Sequence, residues 1–351
     1  MPAAKIDCED AVSFLRAMIG VGVAIFWLSI GAVSADEPSQ KLATVPSDLE
    51  QILSRGEFDK LEALASEYRS TRIPALGGYW ALYLFYKNLA GFKGDGCGCG
   101  NDSSDVAFED KHKHLELWLS TKPQSLTARI ALASMWTGYA WMRRGHGYSG
   151  QTSDGQWGDY FEGLARADNM LSGINPTADP TVLLIEMRTA ERADDPRARL
   201  DELYSEAIKA FPNFIPYYTR RYSTLQERWH GRPGEAREYI QSLLHSPGGE
   251  DGKILYAAVA ESALNFERVK FKLFETSGVS YDQLIDAYGS RQRAVGLTDH
   301  DWNALMYFAT AALDRNGVTF IAKKIGDKWE PELWGSKDNF DTWVNWAARP
   351  L

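Results

Sequence analysis

Cysteine is almost absent from this chain: of 351 residues only three are Cys, at positions 8, 97 and 99. Two cysteines two positions apart cannot staple distant elements, so a disulfide framework is excluded and the core must hold by packing. No run of Lys and Arg occurs, and the net charge is −9. The basic face that a phosphate backbone requires is therefore missing, and no nucleic-acid partner is expected. The compact catalytic signatures are missing too: there is no G-x-S-x-G elbow, no H-E-x-x-H, no phosphate-binding glycine loop and no dinucleotide fingerprint. GDGCGCG, residues 94–100, has the glycines of such a loop but neither the strand-to-helix context nor a Lys-Ser/Thr end. Sustained period-two alternation is absent as well, which argues against a sheet.

Long apolar runs are limited to one, AMIGVGVAIFWLSIGAV at residues 17–33. It follows Arg16 and ends in Val33-Ser34-Ala35, small residues at the −3 and −1 places of a signal-peptidase site, so residues 1–35 read as a signal peptide cleaved after Ala35. The other reading is an uncleaved leader acting as a membrane anchor, the one route to a membrane this sequence offers. Asp7, Glu9 and Asp10 offset Lys5 and Arg16 ahead of the run, and no cysteine follows it to mark a lipoprotein. A periplasmic or secreted location is expected, with residues 36–46 as a linker.

What is present after the leader is helical periodicity. In RARLDELYSEAIKAF the residues Leu200, Leu203, Tyr204, Ala207, Ile208 and Phe211 form one apolar stripe at helical spacing. Tyr218, Tyr222, Leu225 and Trp229 make a second, and Ala236, Tyr239, Ile240, Leu243 and Leu244 a third. Ser47-x-x-Glu50 and Ser280-x-x-Gln283 read as capping signals at helix starts. Prolines punctuate the pattern at 74, 123, 176, 212 and 247, at intervals of 49, 53, 36 and 35 residues. The last two approach the ~34-residue period of tetratricopeptide-type hairpins, and the first two each contain an inserted loop, 91–106 and 143–156. The expectation is an all-α fold: a right-handed superhelical solenoid of antiparallel helix pairs over 47–297, closed by a Trp-rich helical cap over 298–351. In that cap Trp302, Trp329, Trp334, Phe340, Trp343 and Trp346 are the packing residues.

Several segments carry a resemblance: LSRGEFDKLEALASEYR followed by GGYWALYLFY, AWMRRGHGYSGQ leading to QWGDYFEGLARA, AFPNFIPYYTRRYSTLQERWHGRPGEAREY, and IGDKWEPELWGSKDNFDTWVNWA. Together they resemble an uncharacterised bacterial family defined by a domain of unknown function and built on tetratricopeptide-like hairpins. The resemblance spans most of residues 47–348 and implies the hairpin fold. It implies no activity and no catalytic residues, and the cysteine loop departs from it as an embellishment.

In a hairpin stack the turns inside successive hairpins emerge along one rim, and insertions there are where repeat proteins place binding. The loop with Cys97 and Cys99, the loop 143–156, the ADDPR turn and the RWHGRPG turn should therefore line up. The candidate binding residues are Trp141, Arg143, Arg144, His146, Tyr148, Asp154, Trp157, His230 and Arg232. Cys97, Cys99 and His146 would make a mixed sulfur and nitrogen set suited to zinc or copper(I). A C-x-C without a second C-x-C falls outside the usual zinc spacings, so loop cysteines and no cofactor are the expectation. Arg143-Arg144 and Arg220-Arg221 could clamp an acidic group, although such pairs are commonly solvated. His112 and His114 point apart on a helix and read as solvated, and most of the twelve tryptophans read as core.

Two functions from different classes follow. The preferred one is a non-catalytic exported scaffold that binds a peptide, protein or envelope component on its concave face or loop rim. The alternative is a metal-dependent or hydrolase-like enzyme whose composite site is formed by loops 91–106 and 143–156.

Overall fold

The computed structural model describes residues 38–91, 102–145, 149–266 and 270–349. The expected signal peptide, Cys97, Cys99, His146 and Tyr148 lie outside the described residues. Among the described residues the fold is all-α, and extended pairing is limited to isolated bridges between Ala43 and Ala75 and between Pro74 and Trp80.

The helices follow one another as α1 (Leu49–Ser54), α2 (Phe58–Thr71), α3 (Ala81–Ala90), α4 (Asp102–Thr121), α5 (Leu126–Arg144) and α6 (Asp154–Leu171). Next come α7 (Pro180–Thr189), α8 (Pro196–Ala210), α9 (Ile215–Thr224), α10 (Glu235–Ser242) and α11 (Gly249–Ala263). The chain ends with α12 (Leu273–Ser277), α13 (Tyr281–Val295), α14 (Asp299–Ala311), α15 (Arg315–Ile325), α16 (Pro331–Trp334) and α17 (Lys337–Ala348). Each punctuating proline sits in the connection between two successive helices: Pro74 after α2, Pro123 after α4, Pro176 after α6, Pro212 after α8 and Pro247 after α10. Alternate helices α3, α5, α7, α9, α11 and α13 pack each on the next and form an inner row. The even-numbered helices α2, α4, α6, α8 and α10 cover it.

Local chemistry explains the boundaries. The α8 stripe buries Leu200, Leu203 and Ala207, with Tyr204 and Ile208 packed beside them, as amphipathic spacing requires. Asp195 caps α8 through the amide of Ala198, and Asp179 caps α7 through the amide of Thr181 at 2.8 Å. Both insertions are shorter than their sequence suggests. Helix α4 begins at Asp102. Helix α5 runs to Arg144, where Gly145 takes a φ of 74° that ends it. Helix α6 opens at Asp154 on a capping box made by Ser153 and Gln156. The expected caps do not form: Asp48, not Ser47, precedes α1, and Ser280 precedes α13 without a side-chain bond. Thr298 and Asp301 make the other capping box, at the start of α14.

The tightest pairing joins α5 and α6. A Cβ on Gly163 would lie 2.8 Å from the Cβ of Ala140 and 3.1 Å from its Cα, so the two backbones meet where only hydrogen fits. One apolar cluster fills the first helices, from Leu49 to Ile185, and a second runs from Leu183 to Phe340 with Trp80 reaching into it. The C-terminal aromatics belong to this second cluster: Trp334 and Phe340 are buried in edge contact at 5.3 Å, and Trp302, Trp329, Trp343 and Trp346 pack around them. Lys270 Nζ sits over Tyr307, Trp334 and Trp343 at 4.0, 5.0 and 4.5 Å and ties the turn before α12 to this end.

An open stack touches only its neighbours, yet here residues 74–80 reach α13. Arg291, fully buried, donates two bonds to the carbonyl of Gly77, at 2.9 and 2.7 Å. Its third nitrogen bonds Glu261 at 2.6 Å, and Asp301 lies 3.2 Å away. Gly77 and Gly78 have φ of 81° and 85°, and a Cβ on Gly77 would stand 3.0 Å from both Asp301 and Thr298. Ser39 and Gln40 donate their amides to the carbonyls of Arg293 and Ala294. The connection between α2 and α3 is thereby fastened to the sixth inner helix, α13.

Candidate functional site

The rim gathers residues far apart in sequence. Arg143, at the end of α5, pairs with Asp159 at 2.8 Å and with Asp105 at 3.5 Å, so the ends of both insertions meet at one edge. Arg144 turns inward and is buried. Its guanidinium lies 5.0 Å from the ring of Trp157, 5.2 Å from Trp229 and 5.5 Å from Trp141. Three indole faces stabilise a cation that has lost its water, while burial pulls the Arg144 pKa below the usual arginine range. Tyr160 packs edge-on against Trp141 and Trp157 beneath it.

Beside this box stands Glu191, which sequence reading missed. It accepts from Arg220 at 2.8 Å and meets His230 Nε2 at 2.7 Å. Burial by itself would raise Glu191, but the His230 hydrogen bond and the Arg220 charge outweigh it and hold the carboxyl below its ordinary value. Arg197, from the ADDPR turn, donates to the His230 carbonyl at 3.1 Å and forks onto Glu235. The ADDPR and RWHGRPG turns thus lie together. Of the other candidates, Arg232 is exposed, its guanidinium 3.8 Å from Glu235 and its amide donating to that carboxylate at 2.9 Å, and Asp154 is exposed at the start of α6. His146, Tyr148, Cys97 and Cys99 fall outside the described residues, so the proposed thiolate and imidazole set has no described geometry.

The arginine pairs differ from the sequence expectation in that neither is simply solvated. Arg220 also donates to the Met187 carbonyl, and Arg221 pairs with Asp201 and lies over Tyr204. His112 is half-buried, stacked on Phe108 and edge-on to Trp136, because its face of α4 turns toward α5. Trp229 is not on the helical stripe assigned to it. Helix α9 stops at Thr224, and the indole reaches the rim from the following turn.

Below the rim, the inner row lines an open cavity of about 380 Å³ bounded by α3, α5, α7, α9 and the end of α11. Trp141 and Arg220 belong both to its wall and to the rim. Among the described residues its charged lining is Lys87, Arg188 and Arg220. Hydroxyls and an amide supply the rest of the polar wall, among them Ser134, Thr137, Ser223 and Asn265. Arg188 donates to Thr137 at 3.2 Å across the space between α7 and α5. The hydroxyls of Ser134 and Thr181, both on this wall, are buried with no hydrogen-bond partner among the described residues. One reason for the wall's position is Asp179: it receives Arg69 and Tyr86 at 2.9 and 3.1 Å while capping α7, which locks α2, α3 and α7 together.

No protein-family model matches the chain, and no curated protein or solved structure shows significant similarity to it. Among the described residues no group of three or more His, Cys, Asp or Glu could hold a metal ion, and no helix is long and apolar enough to cross a membrane.

Proposed function

We propose that this chain is an exported, non-catalytic scaffold, a right-handed superhelix of tetratricopeptide-like hairpins, that binds a peptide or protein segment between its inner helices. The observation that carries this reading is the cavity of about 380 Å³, whose volume falls within the range of ligand sites and whose wall is rich in hydrogen-bond donors. The alternation of inner and covering helices supports the hairpin reading. A binding role fits the rim better than a reactive one, because its charged groups hold one another. Arg143 is paired with Asp159, Arg197 with Glu235, and Arg220 and His230 with Glu191. Export rests on the apolar leader and its small-residue cleavage site.

Photo-crosslinking tests the reading. A benzophenone amino acid at Thr219, on the cavity wall, should capture a polypeptide partner in the exporting cell, and the same group at exposed Glu206 on α8 should not. Equal capture at both positions, or none at Thr219, would overturn it.

A further inference from the structure

We infer that the seam between residues 74–80 and α13 is a latch governed by one proton: it is held closed while Glu261 is protonated, and it opens more often as that proton is lost. Such a latch is independent of what the cavity binds.

Three charged side chains meet in the seam and all are buried: Glu261 from α11, Arg291 from α13 and Asp301 from α14. One guanidinium neutralises one carboxylate. The second carboxylate would leave a net negative charge away from water, and a closed protein avoids that by binding a proton. The remaining titratable groups that face Glu261 are Tyr288 from α13, His300 from α14 and Tyr79 from the connection itself. Burial pushes both tyrosines above their ordinary values, so they stay neutral near pH 7. His300 is drawn into its own pair with Glu330, at 2.6 Å.

Hydrogen bonds decide which carboxyl takes the proton. Asp301 is engaged in the capping box of α14, where it accepts the amide of Thr298 at 2.6 Å. Glu261 accepts from the side chains of Arg291, at 2.6 Å, and Tyr288, at 2.8 Å, and burial lifts it to about 7. Water has little room to hydrate the charge in the closed seam, because the backbone at Gly77 lies directly against Asp301 and Thr298. Opening the seam admits water and returns Glu261 to its ordinary carboxyl value. The closed form is therefore favoured at low pH and loses that advantage as pH rises through about 7. Two glycines with positive φ, Gly77 and Gly78, carry the part that moves. Gly78 lies against Val295, Ile215 and Ile254, so an open seam uncovers apolar side chains of α13, α9 and α11.

Hydrogen exchange followed by mass spectrometry tests this on the protein purified from the exporting cell. The amides to follow are those of Ala75 and Gly77, which donate to the carbonyls of Tyr79 and Val295, with the amides of α8 as a distant reference. After correction for the intrinsic rise of exchange with pH, opening at 74–80 should increase about tenfold from pH 6 to pH 8. That factor follows from a closed value of about 7 against an ordinary 4.5. The α8 amides should change less than about twofold, because the opening is local. Glu261→Gln keeps an acceptor for Arg291 and Tyr288 but cannot ionise, and should flatten the dependence at 74–80. Tyr288→Phe removes a donor that favours the carboxylate and should move the transition to higher pH, which keeps the test decisive if the first variant folds poorly. His300→Gln should leave the dependence in place. No pH dependence at 74–80 in the parent, an equal rise in α8, a dependence that survives Glu261→Gln or vanishes in His300→Gln, or an unmoved transition in Tyr288→Phe would each overturn the latch.

Discussion

Replacing Arg291 with methionine should be among the most destabilising single changes in the protein. The guanidinium is fully buried and holds the Gly77 carbonyl through two bonds, Glu261 through a third, and Asp301 at 3.2 Å. Breaking a buried ion pair by removing one partner costs about 3–5 kcal/mol, because the other charge is left without compensation. Here two carboxylates and a carbonyl are left, so a loss at the upper part of that range is expected at pH 8. The loss should shrink on acidification. Burial, opposed by the Arg291 charge and reinforced by Asp301, pushes Glu261 up to about 7 in the folded protein. A carboxyl whose folded value lies above its unfolded one contributes stability at low pH and loses it as pH rises through about 7. Without Arg291 that rise becomes larger, so the variant should be penalised least near pH 5 and most near pH 8. Urea titrations followed by far-ultraviolet dichroism and tryptophan fluorescence at both pH values measure this, and the double variant with Glu261→Gln should recover part of the loss at pH 8. A cost below about 1 kcal/mol at pH 8, or one independent of pH, would show that the network does not fasten the α2–α3 connection to α13.

Gly163→Val should separate α5 from α6, since a Cβ there meets Ala140 at 2.8 Å; a loss of about 1–3 kcal/mol in a urea titration is expected, and a neutral result would refute the close packing. Glu191→Gln should cost about 1.5–3 kcal/mol at pH 7, where the native carboxylate is ionised against Arg220 and His230. Because the folded Glu191 titrates below its unfolded value, its contribution is present above the unfolded value and fades as pH falls through the folded one, so parent and variant should converge on acidification below the ordinary carboxylate range. Removing residues 327–351 takes away buried Trp334 and Phe340, each worth roughly 3–5 kcal/mol as a core aromatic, and should abolish soluble expression or lower the thermal midpoint sharply. An unchanged midpoint would mean that these residues do not close the core.

The periodicity of the chain determined its class and much of its punctuation. Leu200, Leu203 and Ala207 can all be buried by one helix face, and a proline at 74, 123, 176, 212 or 247 cannot continue the helix before it, so both facts are visible in a single segment. The rim was legible in part, because Trp141, Arg144, Trp157 and His230 stand beside glycine-rich breaks that mark turns. What joins them was not. Glu191 looks like any acidic residue near a turn until α7, α9 and the 225–234 turn bring Arg220 and His230 onto it from 29 and 39 residues away. Trp229 continues a helical stripe on paper, but the chain leaves α9 after Thr224 and aims the indole at Arg144 instead. The ion network of Arg291 and Gly77 spans 214 residues, and the cavity wall built from α3, α5, α7, α9 and α11 depends on where neighbouring helices sit. Local sequence can specify a helix, since its hydrogen bonds close within four residues. The fastening of residue 77 to residue 291 and the cavity between the inner helices exist only once the helices have packed, because each contact depends on surfaces contributed by distant parts of the chain.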